Sequence, residues 1–445
     1  MPVLPGLLTI RVLLVLAVSF SFVAASEKGP EQSSGSLSWP NRFGPLQNGH
    51  ALEADSKGLP TTWNEESGEN IAWKVPIENF GHSTPIIGQG RIWLTSATDE
   101  GTKQWILCLD EMTGKTIHKK LLFENVDPEP LGNKINTYAS PSCWLESDAV
   151  YVHFGTYGTA RLNPETANIV WQRRDIHARH FRGPGSSPVV HDNILVLTFD
   201  GIDQQFLIAL DKRTGETLWR TERSTDYGDL DENGQPKADG DYRKAYSTPG
   251  LVEVNGRMQI VSVGSRAAFA YDLKTGKEVW TITHDDYNAA ARPVFYKDLA
   301  ILNTGSRGAN LLAVRLDAST QRNVDDSHVI WNRERGNSDL SNPILLGDRV
   351  YMITNNGVAV CLNAETGEEL WTARIGGTFV ASPVSANGVI YFSNEEGETT
   401  VVRAADEYEE VAKNILQEGM RSSPAIANGA LFLRTFGHLY KLGGD

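Results

Sequence analysis

Five times in 445 residues the chain repeats one short unit, and a repeat constrains the fold more than any single element can. The unit is an apolar strand, an Asp or Asn, two variable residues, a Thr usually followed by Gly, and a second strand ending in a ring. It occupies residues 109–118, 162–171, 210–219, 271–280 and 362–371. Trp171, Trp219, Trp280 and Trp371 end four copies, each five residues after the Thr, and His118 ends the first. A variant runs from Leu316 and Asp317 through an insertion to Trp331. An Asp or Asn side chain can hydrogen-bond the turn backbone, and Gly tolerates positive φ, so the unit reads as a closed hairpin. A Trp returning at one hairpin position implies a repeated packing joint between neighbouring sheets, each ring burying on the order of 200 Å².

A second marker opens each unit: a small or polar residue, then Pro, then an apolar strand. It stands at Thr84, Ser140, Ser187, Thr248, Arg292, Asn342, Ser382 and Ser423, which makes eight starts. Pro suits the first residue of a strand, where a ladder donor is dispensable. No long segment of 3.6-residue period intervenes, so the units read as four-stranded blades and not as βαβ units. The expected fold is all-β, an eight-bladed β-propeller of four-stranded antiparallel blades. Its eighth unit ends without a Trp strand, while Asn70-Ile71-Ala72-Trp73 near the other end matches Asn168-Ile169-Val170-Trp171. The N-terminal strand is therefore expected to pair with the C-terminal blade and close the ring, leaving no open sheet edge.

Residues 1–25 read as a signal peptide. Arg11 is their only charge, the apolar run is too short to span a bilayer, and Val23-Ala24-Ala25 supplies small residues before a cleavage site. Residues 26–59 read as a tether and N-terminal extension, with 26–38 polar and Gly/Ser-rich, and 60–445 as one propeller. The expected destination is the periplasm or the outside of the cell, with no membrane insertion after cleavage, and the expected state is a monomer. A net charge of −14, or −15 after cleavage, argues against nucleic acid as partner, which a basic face would serve.

The D/N-x-x-T-G-x-x-x-W unit resembles the repeat of the pyrroloquinoline-quinone-like (PQQ-like) β-propellers. That family includes quinoprotein alcohol dehydrogenases and the propeller lipoprotein of the outer-membrane assembly machine. Trp39-Pro40, Gly44-Pro45, Gly81-His82-Ser83, residues 181–188 and residues 245–249 resemble an exported bacterial subgroup of the planctomycete type. The resemblance describes a fold and does not by itself bring the cofactor. Quinoprotein relatives use an adjacent Cys pair, a Ca²⁺ and a catalytic Asp. Cys108, Cys143 and Cys361 are never adjacent, and Cys108 and Cys361 occupy a position held by Ala209 and Ala270 in other copies, which reads as structural.

Loops before the first strands are expected to line one mouth of the central channel. They carry His82, Tyr138, Arg182, Tyr246, Asn288, Arg292, Asn342, Phe379 and Arg421. Two readings of this ring stand: a ligand pocket, or hydrogen bonds between blades. Three arginines in it favour an anionic ligand, which PQQ, a tricarboxylate, also satisfies. Asp229, Asp231 and Asn233, with Asp239 and Asp241 further on, match half of a Ca²⁺ loop, and Gly240 stands where the closing Glu belongs. His177 and His180 lack a third ligand nearby. The leading expectation is a non-catalytic binding or scaffold protein, whose partner is a protein or an anionic small molecule. The alternatives are a PQQ-dependent alcohol or sugar dehydrogenase and an outer-membrane protein assembly component.

Overall fold

The computed structural model describes residues 1–2, 37–306, 308–317, 322–324 and 326–444. The signal peptide and nearly all of the tether expected from the sequence lie outside the described residues. Eight antiparallel sheets follow one another along the chain: residues 86–124, 144–173, 189–222, 250–283, 294–333, 344–374 and 384–415 form blades 1 to 7. Blade 8 takes three strands from residues 425–443 and its fourth, Ile71–Pro76, from near the other end of the chain. Trp73 pairs with Lys441 and Pro76 with His438, so the ring closes as expected. Blade 4 departs from four strands. The insertion before Trp331 lays a short strand, Arg322–Asn323, parallel to its outer edge at Trp280 and Thr281. The one α-helix among the described residues is Glu53–Ser56.

Strand position in a blade decides burial. Ala149–His153 and Ala430–Arg434 are buried at every residue because both of their faces meet neighbouring sheets. Outer strands such as Thr217–Glu222 alternate, with one face to solvent.

The repeated hairpins work as their residue types imply. Asp110 Oδ1 accepts from the backbone N–H of Thr113 at 2.8 Å and from its hydroxyl at 2.6 Å, and Asp272 does the same for Thr275. Each hairpin is also a joint. Trp171 Nε1 donates to the Lys212 carbonyl of the next blade at 3.0 Å, Trp219 to Leu273 at 3.0 Å and Trp331 to Ala364 at 3.1 Å. The indole rings lie over Gly215, Gly276 and Gly367, where φ is +72 to +77 except for +68 at Gly276, and a Cβ on Gly215 would sit 2.8 Å from the Trp171 ring. Glycine is needed there twice, for its backbone and for the missing side chain.

A second ring of joints lies at the inner ends of the first strands. The Thr84 N–H donates to the Ser142 hydroxyl, Ser142 to Ser187, Ser187 to Thr248, Arg292 to the side-chain oxygen of Asn342, Asn342 to Ser382 and Ser382 to Ser423. The pre-proline residues are thus blade-to-blade acceptors. In blade 2 the position is Ser142, which precedes Cys143. The marker expected at Ser140 is offset by two residues, because Pro141 belongs to the loop and the strand begins at Trp144.

The N-terminal extension is a strap across the ring. Ser38, which composition places in the tether, is buried. Trp39 exchanges both backbone bonds with Ile87 of blade 1, and the Pro40 carbonyl accepts from Leu145 of blade 2. Gln47 accepts from Arg292 of blade 5, and His50 bonds the Leu345 carbonyl of blade 6 and the Ser385 hydroxyl of blade 7. Blades 1 and 5 stand opposite in a ring of eight, so residues 39–47 span its diameter. Asp55 then accepts from Asn428 and Gly429 of blade 8.

Candidate functional site

Two cavities meet on the axis, and Arg42 of the strap and Ser423 of blade 8 line both. The first, of about 320 Å³, opens among the loops that precede the first strands, with residues from all eight blades in its wall. Of the residues expected at this mouth, His82, Arg182, Tyr246, Asn288 and Arg421 line it. Arg292 and Asn342 do not. They line the second cavity, on the strap side. Tyr138 and Phe379 line neither. Tyr138 is buried, its hydroxyl donating to the Glu129 carbonyl at 2.7 Å and its ring edge-on to Tyr157 at 5.5 Å. Phe379 is buried in the apolar core around Tyr351 and Trp371. An aromatic side chain gains more by leaving water altogether than by lining a wet channel, which explains both corrections.

The mouth wall carries Arg42, Arg182, Lys244 and Arg421 against Asp241 and Asp339, four cations to two carboxylates. Lys244 pairs with Asp241, and Arg182 Nε lies 4.0 Å from the same carboxylate. Arg421 pairs with Glu395 at 3.0 Å and also donates to the Lys134 carbonyl. Among the described residues the guanidinium of Arg42 meets the ring of its neighbour Phe43, 5.3 Å away, and no carboxylate, and burial draws it down to about 10. His82 is held neutral: burial, then the Arg434 and Arg421 charges, pushes it down to about 3. Tyr246 is pushed up by burial, and its ring lies tilted against that of His180, centroids 4.9 Å apart; burial lowers His180 to about 4. The Asn288 Oδ1 atom is buried without a donor among the described residues. Sequence reasoning missed Arg42 because it lies outside the repeats. It missed Lys244 as a wall residue although that residue stands two positions before Tyr246.

The acidic loop is spread out. Asp229 is buried and chelated by Arg243 at 2.5 to 3.1 Å, which holds its carboxyl below the usual range. Asp231 caps a turn by accepting from the Asn233 and Gln235 N–H groups. Asp239 faces Arg179 at 3.7 Å, while Asp241 turns into the funnel. Among the described residues no three His, Cys, Asp or Glu side chains cluster as a metal would require. The basic wall suits carboxylates, including those of PQQ, but it offers no grouped ligand set for the cation that quinoprotein relatives use. Cys108, Cys143 and Cys361 are buried, free thiols, each pushed up by burial to about 12. Such thiols are poor nucleophiles.

A family profile described as outer membrane protein assembly factor BamB matches residues 23–202 and 203–442. The chain belongs to this family. BamB of Yersinia pestis is 21% identical over 383 residues, 84% of this chain and 88% of its own length. BamB of Salmonella typhimurium is 25% identical over 116 residues, 26% of this chain, and the match spans 29% of that relative. Among solved structures, a europium-containing methanol dehydrogenase superposes with a TM-score of 0.64 at 12% identity, over 91% of each chain. BamB of Moraxella catarrhalis gives 0.56 at 11% identity, over 84% of this chain and 99% of its own. At such identities the structural likeness establishes the fold. It does not choose between assembly factor and dehydrogenase.

Proposed function

We propose that this protein is an exported, non-catalytic binding protein that holds an anionic ligand in the central funnel. The observation that carries this reading is the convergence of Arg42, Arg182, Lys244 and Arg421 on one cavity with only two carboxylates in its wall. Guanidinium groups bind carboxylates in a planar, bidentate fashion, and they are worth more in a cleft that excludes water than on an open surface. Nothing in the wall acts as an activated nucleophile: the thiols are buried elsewhere, and the nearest histidine, His82, is neutral and enclosed. Membership of the BamB family favours a second reading, in which the same funnel face engages a partner in outer-membrane protein assembly.

Calorimetric titration with citrate, a tricarboxylate probe, tests the first reading. Saturable binding is expected, weakened at least tenfold in Arg182→Gln and Arg421→Gln and in high salt. Citrate binding that is absent, or unchanged in both variants, defeats it. Dye-coupled alcohol oxidation after loading with PQQ and Ca²⁺ would replace it with a quinoprotein.

A further inference from the structure

The second cavity, of about 290 Å³, lies between the strap and the inner strands of blades 4 to 8. Most of its wall is apolar, from Phe43, Leu46, Val294, Phe295 and Ile344 among others, and none of its lining residues is acidic. Two guanidiniums enter it. Arg292 is 5% exposed. Its two terminal nitrogens donate to the Gln47 carbonyl at 2.7 Å and the Gln47 side-chain oxygen at 3.0 Å, which leaves Nε with no acceptor. Arg42 comes from the strap, and both cations lie against the same ring, Phe43, at 5.3 and 4.7 Å. Asn342, also 5% exposed, spends its side-chain oxygen on the Arg292 N–H and leaves its amide nitrogen without an acceptor.

This is an imbalance of a definite kind. A buried charge is costly unless it is paired, and one aromatic ring returns only a small part of that cost. Here two like charges share one ring, and the amide nitrogen of Asn342, which lines the same cavity, has no acceptor among the described residues. Burial, and then the Arg42 charge, draws Arg292 down to about 9. Among the described residues neither guanidinium feels a carboxylate. The cavity thus offers buried donors without a carboxylate in its lining, beside a wall that is mostly hydrocarbon.

We propose that this cavity binds a small amphiphilic carboxylate, its head between Arg42, Arg292 Nε and the Asn342 amide, its short alkyl or aryl tail against Leu46, Phe295 and Ile344. Leu46, 57% exposed on the strap, marks the side from which such a tail enters. The site adjoins the funnel and shares Arg42 with it, whereas Arg292 and Asn342 line this cavity and not the funnel, so the Asn342→Asp variant tests it apart from the funnel ligand.

Thermal melting of the full-length protein with sodium octanoate, 1-octanol or sodium sulfate tests the assignment. Octanoate is expected to raise the melting temperature saturably, while the uncharged chain and the tailless anion are not. Arg42→Gln removes a side chain that holds no other residue, so the fold persists and octanoate affinity falls at least tenfold. Asn342→Asp keeps the oxygen that Arg292 uses and supplies an internal anion. It is expected to raise the melting temperature of the ligand-free protein and abolish the octanoate response. The proposal is overturned if octanoate gives no shift at millimolar concentration, if octanol or sulfate matches it, or if both variants respond as the parent does.

Discussion

At the outer rim, Trp171 reaches Lys212, Trp219 reaches Leu273 and Trp331 reaches Ala364, each across a single blade boundary. On the axis, Arg42, Arg182, Lys244 and Arg421 reach one cavity from four distant parts of the chain. These three rim joints are one solution copied, apolar rings over glycines with one hydrogen bond each. The axis is a set of singular polar residues, of which Arg42 meets no carboxylate among the described residues. The first arrangement is what stability asks for, since buried apolar area and satisfied donors both contribute. The second leaves charge unmet, which stability does not favour and ligand binding uses.

The contrast can be broken first at ring closure. Removing residues 26–78 takes away the strand Ile71–Pro76 and is expected to abolish the cooperative melt seen by circular dichroism. Removing 26–50 leaves that strand and is expected to lower the melting temperature while the fold survives. Equal loss in both would mean that the strap, not the strand, closes the ring.

A rim joint is expected to be worth more than any single axial polar contact. Trp331→Ala should cost about 3 to 5 kcal/mol in urea unfolding, the usual loss for a buried aromatic. A cost well under about 1 kcal/mol would show that the joints are redundant.

One joint differs and sharpens the rule. Between blades 1 and 2, His118 stands where the Trp belongs and bonds the Glu165 carbonyl at 2.9 Å. Across from it, the Gly position holds Ala167 at φ +53. The smaller ring leaves room for the methyl group. His118→Trp is therefore expected to destabilise by about 1 to 3 kcal/mol through overpacking. In the His118→Trp, Ala167→Gly double variant most of that is expected to return, and a double-mutant cycle without coupling would refute the pairing.

The smallest effect per step concerns acid. His82 and His153 are held neutral by burial, each down to about 3. Below pH 6.5 the unfolded chain takes up protons that the folded one cannot. Stability is complete above 6.5 and is lost as pH falls toward 3, by up to about 1.4 kcal/mol per histidine per pH unit. Chemical denaturation at pH 7, 6 and 5 reads the slope, which should be shallower in His82→Gln. An unchanged slope would place the acid sensitivity elsewhere.

The rim was legible because each joint depends on residues close in sequence and repeats at a fixed spacing: Asp272 caps the turn of Thr275, and Trp280 follows on the next strand. Ring closure was legible for the same reason, as Trp73 carries the motif that blade 8 lacks. The site was legible in part. Arg182 and Arg421 were recognisable from their place before a first strand, but so were Tyr138 and Phe379, and the same place sends these two into the core. Direction of a loop side chain depends on what packs behind it, which no spacing records. Arg42 and Gln47 were invisible as site residues, because nothing local says that residues 39–47 cross the ring.

The sequence alone determined the number of blades, their hairpins and the strand that closes them, because those are local, periodic and driven by burial. Only the tertiary structure decided which cations share a cavity, that the extension crosses the ring, and that Arg42 and Arg292 meet without a carboxylate among the described residues. Those facts arise from radial closure, which brings together residues up to hundreds of positions apart, and electrostatics acts on distance in space.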